Sequence, residues 1–334
     1  MKIAIVKLSA LGDIIHAMVV LQFVKKYNQA IEVDWIVEES YQELLELNPD
    51  IGIVHTVNIK NIKKKKSLSL LYKEFRRFQN FGPYDMVLDM QGLIKSAIIS
   101  RFIPSKLTLG FDKSSARESL ASIFYNKSFK FGYDKNVIER NFELIKFALD
   151  LPFKFKEVSY KLPFLHCHQK YTNLHLSKIK KNIILIPGAS IPSKRFSVKG
   201  FAELTNLLDA NYIIVWGNNE ENLLAHKIKN LAPHVNICDK LSLSNLVSLI
   251  TQSDLIIGAD TGPTHMGWAL NVPSITLFGP TPGYRNTCIT KINKIIETNS
   301  KVNPFKIDKK DNSLNDLDFK KIVLLSKNLL QKKM

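Results

Sequence analysis

The chain has 334 residues, 45% hydrophobic and 10% aromatic, which is enough for two domains that each bury a core. Every apolar run falls short of the roughly 20 residues that cross a bilayer, so a spanning helix is excluded. The formal charge of +17 predicts attraction to polyanions, and nucleic acid, an acidic membrane surface and a phosphorylated lipid all qualify.

In chain order, Lys2–Val6 reads as a first strand. It does not read as part of a signal peptide, because Lys7, Asp13 and His16 interrupt the apolar run and no small-residue cleavage site follows. A loop over residues 9–13 leads into a helix over residues 14–26, with Ile14, Ala17, Met18, Leu21 and Val24 on one face. Strands are expected over residues 33–37, 51–57 and 84–88, with a helical stretch over 41–47, and this alternation predicts a parallel sheet. The run of Lys60, Lys63, Lys64, Lys65 and Lys66 reads as a solvated loop, and Lys332 and Lys333 form a basic tail.

Residues 151–180 have weak periodicity and read as a linker, with a boundary near residue 160. A second series then begins. It comprises a strand over 183–186 ending in Pro187-Gly188-Ala189-Ser190, a helix over 198–208, a strand over 212–216, helices over 220–231 and Leu243–Thr251, and a strand over 254–257. An amphipathic helix over 316–330 closes the chain. The fold class is therefore α/β, with two doubly wound domains whose ligands are expected at the carboxyl ends of the strands. Asp13, Ser190, Glu221 and Asp260 all fall there.

Cys167, Cys238 and Cys288 are widely spaced and contain no Cys-x-x-Cys pair, which argues against a disulfide framework or a zinc site and for a reducing cytosol. His166-Cys167-His168 is an unsuitable metal tract, since neighbours on an extended segment point to opposite faces.

Around Asp260-Thr261-Gly262-Pro263, an apolar strand meets a helix carrying Met266, Ala269 and Leu270. Thr261 suits an N-cap, Gly262 permits close backbone approach and Pro263 fits the first turn, so the site favours phosphate. The same residues also suit an ordinary capped turn. Neither a Gly-x-Gly-x-x-Gly nor a P-loop follows any strand. Ser190 and Lys194 can offer a hydroxyl and a cation to a diphosphate, or Lys194 and Arg195 are surface charges. Asp13 either caps a helix or acts as a general base. Glu221 either accepts from ribose hydroxyls or complements a helix N-terminus.

Four segments, Ser9-Ala10-Leu11-Gly12-Asp13, Asp89-Met90-Gln91-Gly92-Leu93-Ile94-Lys95-Ser96, Arg117-Glu118-Ser119-Leu120-Ala121-Ser122-Ile123-Phe124-Tyr125-Asn126 and Asp260-Thr261-Gly262-Pro263-Thr264-His265, together resemble the lipopolysaccharide heptosyltransferases of glycosyltransferase family 9. The Arg117 to Asn126 block resembles the type I pattern. The resemblance implies the GT-B architecture, two Rossmann-like domains facing across a cleft. Residues 1–160 would bind acceptor, with helix 316–330 packing back on them, and residues 161–315 would bind ADP-heptose. It further implies inverting, metal-independent transfer of L-glycero-D-manno-heptose from ADP-heptose to the first Kdo of Kdo2-lipid A, with no cofactor. The location implied is the cytoplasmic face of the inner membrane, in peripheral contact with anionic lipid.

By position, the resemblance makes Asp13 the base and Lys194 the diphosphate contact. Ala189, Ser190, Glu221, Leu241, Asp260, Thr261, Gly262 and His265 would line the donor, and Lys7, Lys95 and Arg117 would meet the acceptor. The chain departs from the pattern at residues 187–193, at Leu241 where relatives carry methionine, and at the lysines of residues 63–66. Other readings are a type II enzyme acting on heptosyl-Kdo2-lipid A, an epimerase, and a non-catalytic nucleotide-sugar binding protein. A nucleic-acid partner is disfavoured, because the lysines are not interleaved with aromatics.

Overall fold

The computed structural model describes residues 1–65, 67–168, 170–172 and 175–331. Lys66, Lys332 and Lys333 lie outside the described residues, as do the side chains of Lys60 and Lys63. The chain forms two compact units, Met1–Phe164 and Leu165–Met334.

In the first unit the strands are β1 (Lys2–Val6), β2 (Glu32–Glu38), β3 (Val54–Val57), β4 (Tyr84–Asp89), β5 (Ser105–Phe111) and β6 (Lys127–Phe129). They pair in the order β3-β2-β1-β4-β5-β6, all parallel. Central β1 is apolar from Ile3 to Val6 because it is covered on both faces, and these four residues are fully buried. The second unit repeats the plan with β7 (Asn182–Ile186), β8 (Asn211–Ile214), β9 (Asn236–Ile237), β10 (Leu255–Ala259), β11 (Ser274–Phe278) and β12 (Asn293–Glu297). Their order, β12-β11-β10-β7-β8-β9, is again parallel and reverses direction between β7 and β10. Both sheets therefore have the strand order of a dinucleotide-binding fold, with switch points at β1/β4 and β7/β10.

Several expectations are corrected. The first helix begins at Leu11 and ends at Met18, with a second over Val20–Tyr27, so Asp13 sits in a helical turn and not in a loop. Ala10 is extended and starts the helix three residues before Asp13, whose carboxylate accepts the Ala10 N–H at 3.2 Å. Lys60, Lys63, Lys64 and Lys65 lie on a helix, Ile59–Lys65, and not in a loop. The closing helix begins at Phe319, not at residue 316, and runs to Gln331. Its stripe of Ile322, Val323 and Leu329 is buried in the core of the second unit with Phe201, Leu255 and Ile275.

β3 is shorter than expected because residues 51–53 turn around a buried carboxylate. Asp34 accepts from the Ile53 N–H at 2.9 Å, the Tyr84 hydroxyl at 2.8 Å and the Lys2 ammonium at 3.1 Å. Burial raises the Asp34 pKa, but hydrogen bonds from His55, Tyr84 and Lys2 outweigh it and hold the group down to about 2. A depressed folded-state value means the stabilisation is complete above the unfolded value near 4 and is lost as pH falls through about 2. Urea unfolding of wild type and Asp34→Asn should therefore differ by about 2 kcal/mol more at pH 5 than at pH 2. A gap independent of pH contradicts this.

Candidate functional site

In the second unit, the loop after β7 closes with a short 3-10 turn over Pro192–Lys194, which aims Lys194 at the loop after β10. The Lys194 ammonium lies 2.8 Å from Asp260 Oδ2, and its side chain is only 12% exposed, so it is not a solvated surface charge. Asp260 also faces His265 Nε2 at 3.0 Å and accepts from the Thr281 hydroxyl at 2.9 Å and the Asn286 amide at 3.1 Å. Burial raises the pKa of this carboxyl, yet the Lys194 charge and the His265 hydrogen bond hold it well below the usual range. The pair at the β7/β10 switch point is a fixed dipole at a strand-to-helix junction, where such folds receive anions.

The helix Gly262–Ala269 starts directly after Thr261, with Pro263 in its first turn. Thr261 occupies the N-cap position in extended conformation, but its side chain makes no capping bond, so the hydroxyl does not serve as the expected cap. Gly262 and His265 are buried on the same turn, and Thr261 is half-buried.

Glu221 reaches the site from β8. Asn218 caps the helix Asn219–Leu231 by accepting the Glu221 N–H at 3.0 Å, and the Glu221 carboxylate turns back to accept the Gly217 N–H at 2.7 Å. The carboxylate also lies against Gly188, where an added Cβ would meet the Glu221 carboxyl carbon at 2.3 Å. Glu221 thus links the loops after β7 and β8, and only glycine at 188 permits that approach. Arg195 fastens the same loop. Its guanidinium donates to the Ala189 carbonyl at 3.2 Å and to Glu220 at 3.0 Å. Ala189 is buried, Ser190 is exposed, and Leu241 is half-buried just before the helix Leu243–Thr251. Gly188→Ala should push Glu221 aside, break its bond from the Gly217 N–H and cost about 1–3 kcal/mol, the scale of one hydrogen bond to a charged group. Urea unfolding checks this, and a midpoint equal to that of the wild type contradicts it.

In the first unit, Asp13 is half-buried in the turn after β1. The segment carrying it is held by Gln91, whose side-chain oxygen accepts from Leu8 N–H at 2.8 Å and Ser9 N–H at 3.2 Å, while its amide donates to the Ser9 carbonyl at 2.6 Å. Gln91 is held in turn by Asp89, which accepts its N–H at 2.8 Å. The Ser96 and Tyr125 hydroxyls each donate to Asp89 at 2.8 Å. Burial raises the pKa of this enclosed carboxyl, against the lowering effect of those donors. Gly92, at φ +68°, turns the chain so that its carbonyl accepts Glu118 N–H at 3.0 Å. The segments 9–13, 89–96 and 117–126, far apart in sequence, are therefore one hydrogen-bonded assembly.

Lys95 and Arg117 are exposed on this assembly, whereas Lys7 is buried and donates to the Met90 carbonyl at 2.8 Å. The sequence signals did not single out Thr281, Asn286 or Arg195 as site residues, because each acts through a partner distant in sequence. Among the described residues, no group of three or more His, Cys, Asp or Glu side chains is placed to hold a metal ion, and no helix is long and apolar enough to cross a membrane.

A family model described as glycosyltransferase family 9 (heptosyltransferase) matches residues 75–314. The chain is 39% identical to lipopolysaccharide heptosyltransferase 1 of Campylobacter coli, over 98% of this chain and 99% of that protein. It is 29% identical to lipopolysaccharide heptosyltransferase 1 of Pseudomonas aeruginosa, over 85% and 80% respectively. Among solved structures, Escherichia coli heptosyltransferase WaaC with ADP aligns with a TM-score of 0.81 at 23% identity, covering 98% of this chain and 100% of that one. A family 9 glycosyl transferase from Veillonella parvula aligns with a TM-score of 0.83 at 18% identity, covering 99% and 98%.

Proposed function

The chain belongs to glycosyltransferase family 9, the heptosyltransferases, and from that premise we propose that it transfers L-glycero-D-manno-heptose from ADP-heptose to the first Kdo of Kdo2-lipid A. The acceptor assignment draws on the curated relatives named lipopolysaccharide heptosyltransferase 1. The observation that carries the reading is the buried Lys194–Asp260 pair at the switch point of the second sheet, with Glu221 alongside the same loop.

In this reading Lys194 meets the diphosphate and stabilises the charge that develops as the C1–O bond breaks, a task that needs a fixed cation and no cofactor. Gly262 and the helix behind it receive the phosphates. Glu221 accepts from the ribose hydroxyls, Leu241 provides an apolar surface for the adenine, and Ala189 and Ser190 line the donor loop. Asp13 takes the proton from the Kdo hydroxyl as its oxygen attacks C1 of the heptose, and ADP leaves with the bonding electron pair. Attack opposite the leaving group inverts the anomeric centre. Lys95 and Arg117 meet the carboxylate and phosphates of the acceptor. The enzyme works in the cytoplasm, in peripheral contact with the anionic inner membrane that carries its acceptor.

ADP release from ADP-heptose, followed in the presence of a chelator, tests the reading. Release that depends on Kdo2-lipid A and survives chelation supports it. Donor binding without release identifies a binding protein, and release without acceptor identifies a different reaction.

A further inference from the structure

The 3-10 helix Ser119–Phe124 presents Leu120 and Ile123 to solvent at 59% and 72% exposure. Residues three apart on such a turn share one face, so the two form a single apolar edge. Burying neither of them is unusual for so well-anchored a segment. Tyr125, immediately after it, is fixed to Asp89, and Glu118, immediately before it, is fixed through its N–H to Gly92 and through its carboxylate to Ile94 N–H at 2.7 Å. The edge is therefore held rigidly outward.

Its surroundings are cationic. Arg117 and Lys95 are exposed beside it, and along the helix Ile94–Phe102 the outward positions are Lys95, Arg101 and Phe102, the last 45% exposed. Glu118, the acidic residue of this segment, has its carboxylate engaged with the Ile94 N–H. Apolar side chains projecting among lysine and arginine match the chemistry of an anionic lipid surface, with the side chains entering the acyl boundary and the cations meeting headgroups. The same assembly holds the Asp13 segment through Gln91.

We propose that Leu120 and Ile123, with Lys95, Arg101 and Arg117 around them, form the surface that docks this enzyme on an anionic bilayer. This rests on the reading that its acceptor is a lipid. A lipid-anchored sugar then reaches the Asp13 side of the first sheet without leaving the membrane.

Sedimentation with phosphatidylcholine vesicles, with and without phosphatidylglycerol, tests the proposal on the full chain. The wild type should bind the anionic vesicles and be released by salt. Leu120→Ser/Ile123→Ser should bind about tenfold more weakly or worse. It should turn over a deacylated, water-soluble Kdo acceptor at the wild-type rate, which shows that it folds. Undiminished vesicle binding by the double variant overturns the proposal. So does sedimentation equilibrium showing that the wild type is a dimer which the double variant dissolves, since the edge would then contact a second copy. Loss of turnover of the soluble acceptor by the wild type itself would strike the transferase reading and leave the vesicle result to be judged separately.

Discussion

Asp13→Ala lowers the rate of acceptor-dependent ADP release by about 10²–10⁴-fold while donor affinity is unchanged. The side chain stands in the first turn after β1 and makes a local bond to the Ala10 N–H. Losing that bond costs about 1 kcal/mol, too little to unfold the unit. Asp13→Asn separates chemistry from structure, because the amide oxygen still accepts from Ala10 but the group no longer takes a proton. The same kinetic defect with an unchanged melting temperature identifies a base. A variant that melts earlier and turns over normally identifies a helix cap, and single-turnover kinetics beside a thermal scan decide between the two.

Removing the carboxylate at the β7/β10 switch point has the largest expected effect on stability. Asp260 receives Lys194, His265, Thr281 and Asn286. Asp260→Ala strands the Lys194 charge in a side chain that is 12% exposed. Breaking a buried pair in this way costs about 3–5 kcal/mol. Asp260→Asn retains the shape and part of the hydrogen bonding, so it loses less. Urea unfolding followed by the fluorescence of Trp216 and Trp268 should move to a lower midpoint in the order wild type, Asp260→Asn, Asp260→Ala. Affinity for ADP should fall in the same order, because Lys194 loses the partner that aims it. A loss below about 1 kcal/mol in Asp260→Ala would place the pair among ordinary surface bridges and remove the geometric basis of the proposed donor site.

Much of the architecture is legible in the sequence where one physical signal dominates. Residues 3–6 and 183–186 are continuous apolar runs because parallel strands are covered on both faces. Leu243–Thr251 is bounded by its Ser242 cap, which accepts from Asn245 N–H. Local signals mislead where tertiary contact decides. Residues 9–13 read as a loop, but the chain is already helical at Leu11. Lysines suggested solvated coil, but Ile59–Lys65 is a helix. The closing helix advertised an apolar face without naming its partner, which is the second unit's own sheet and the helix Val198–Leu207.

The candidate site divides in the same way. Asp260 directly follows β10, and Asp13 and Glu221 stand in the first turns of the helices after β1 and β8, so their placement follows from the alternation of elements. Their settings do not. That Glu221 leans on Gly188, that Arg195 meets Glu220, and that Gln91 ties two motifs together are consequences of strand order, which brings residues 25 to 83 positions apart into contact. The 117–126 block shows this most clearly: its Tyr125 and Glu118 hold the Asp89 loop, and its Leu120 and Ile123 face outward.

Mass spectrometry of Kdo2-lipid A after incubation with ADP-heptose and the full chain tests the central claim most directly. The account predicts a lipid heavier by one heptose residue, formed in step with ADP and absent with Asp13→Ala. An unchanged Kdo2-lipid A, or heptose added only when the lipid already carries one, would contradict it.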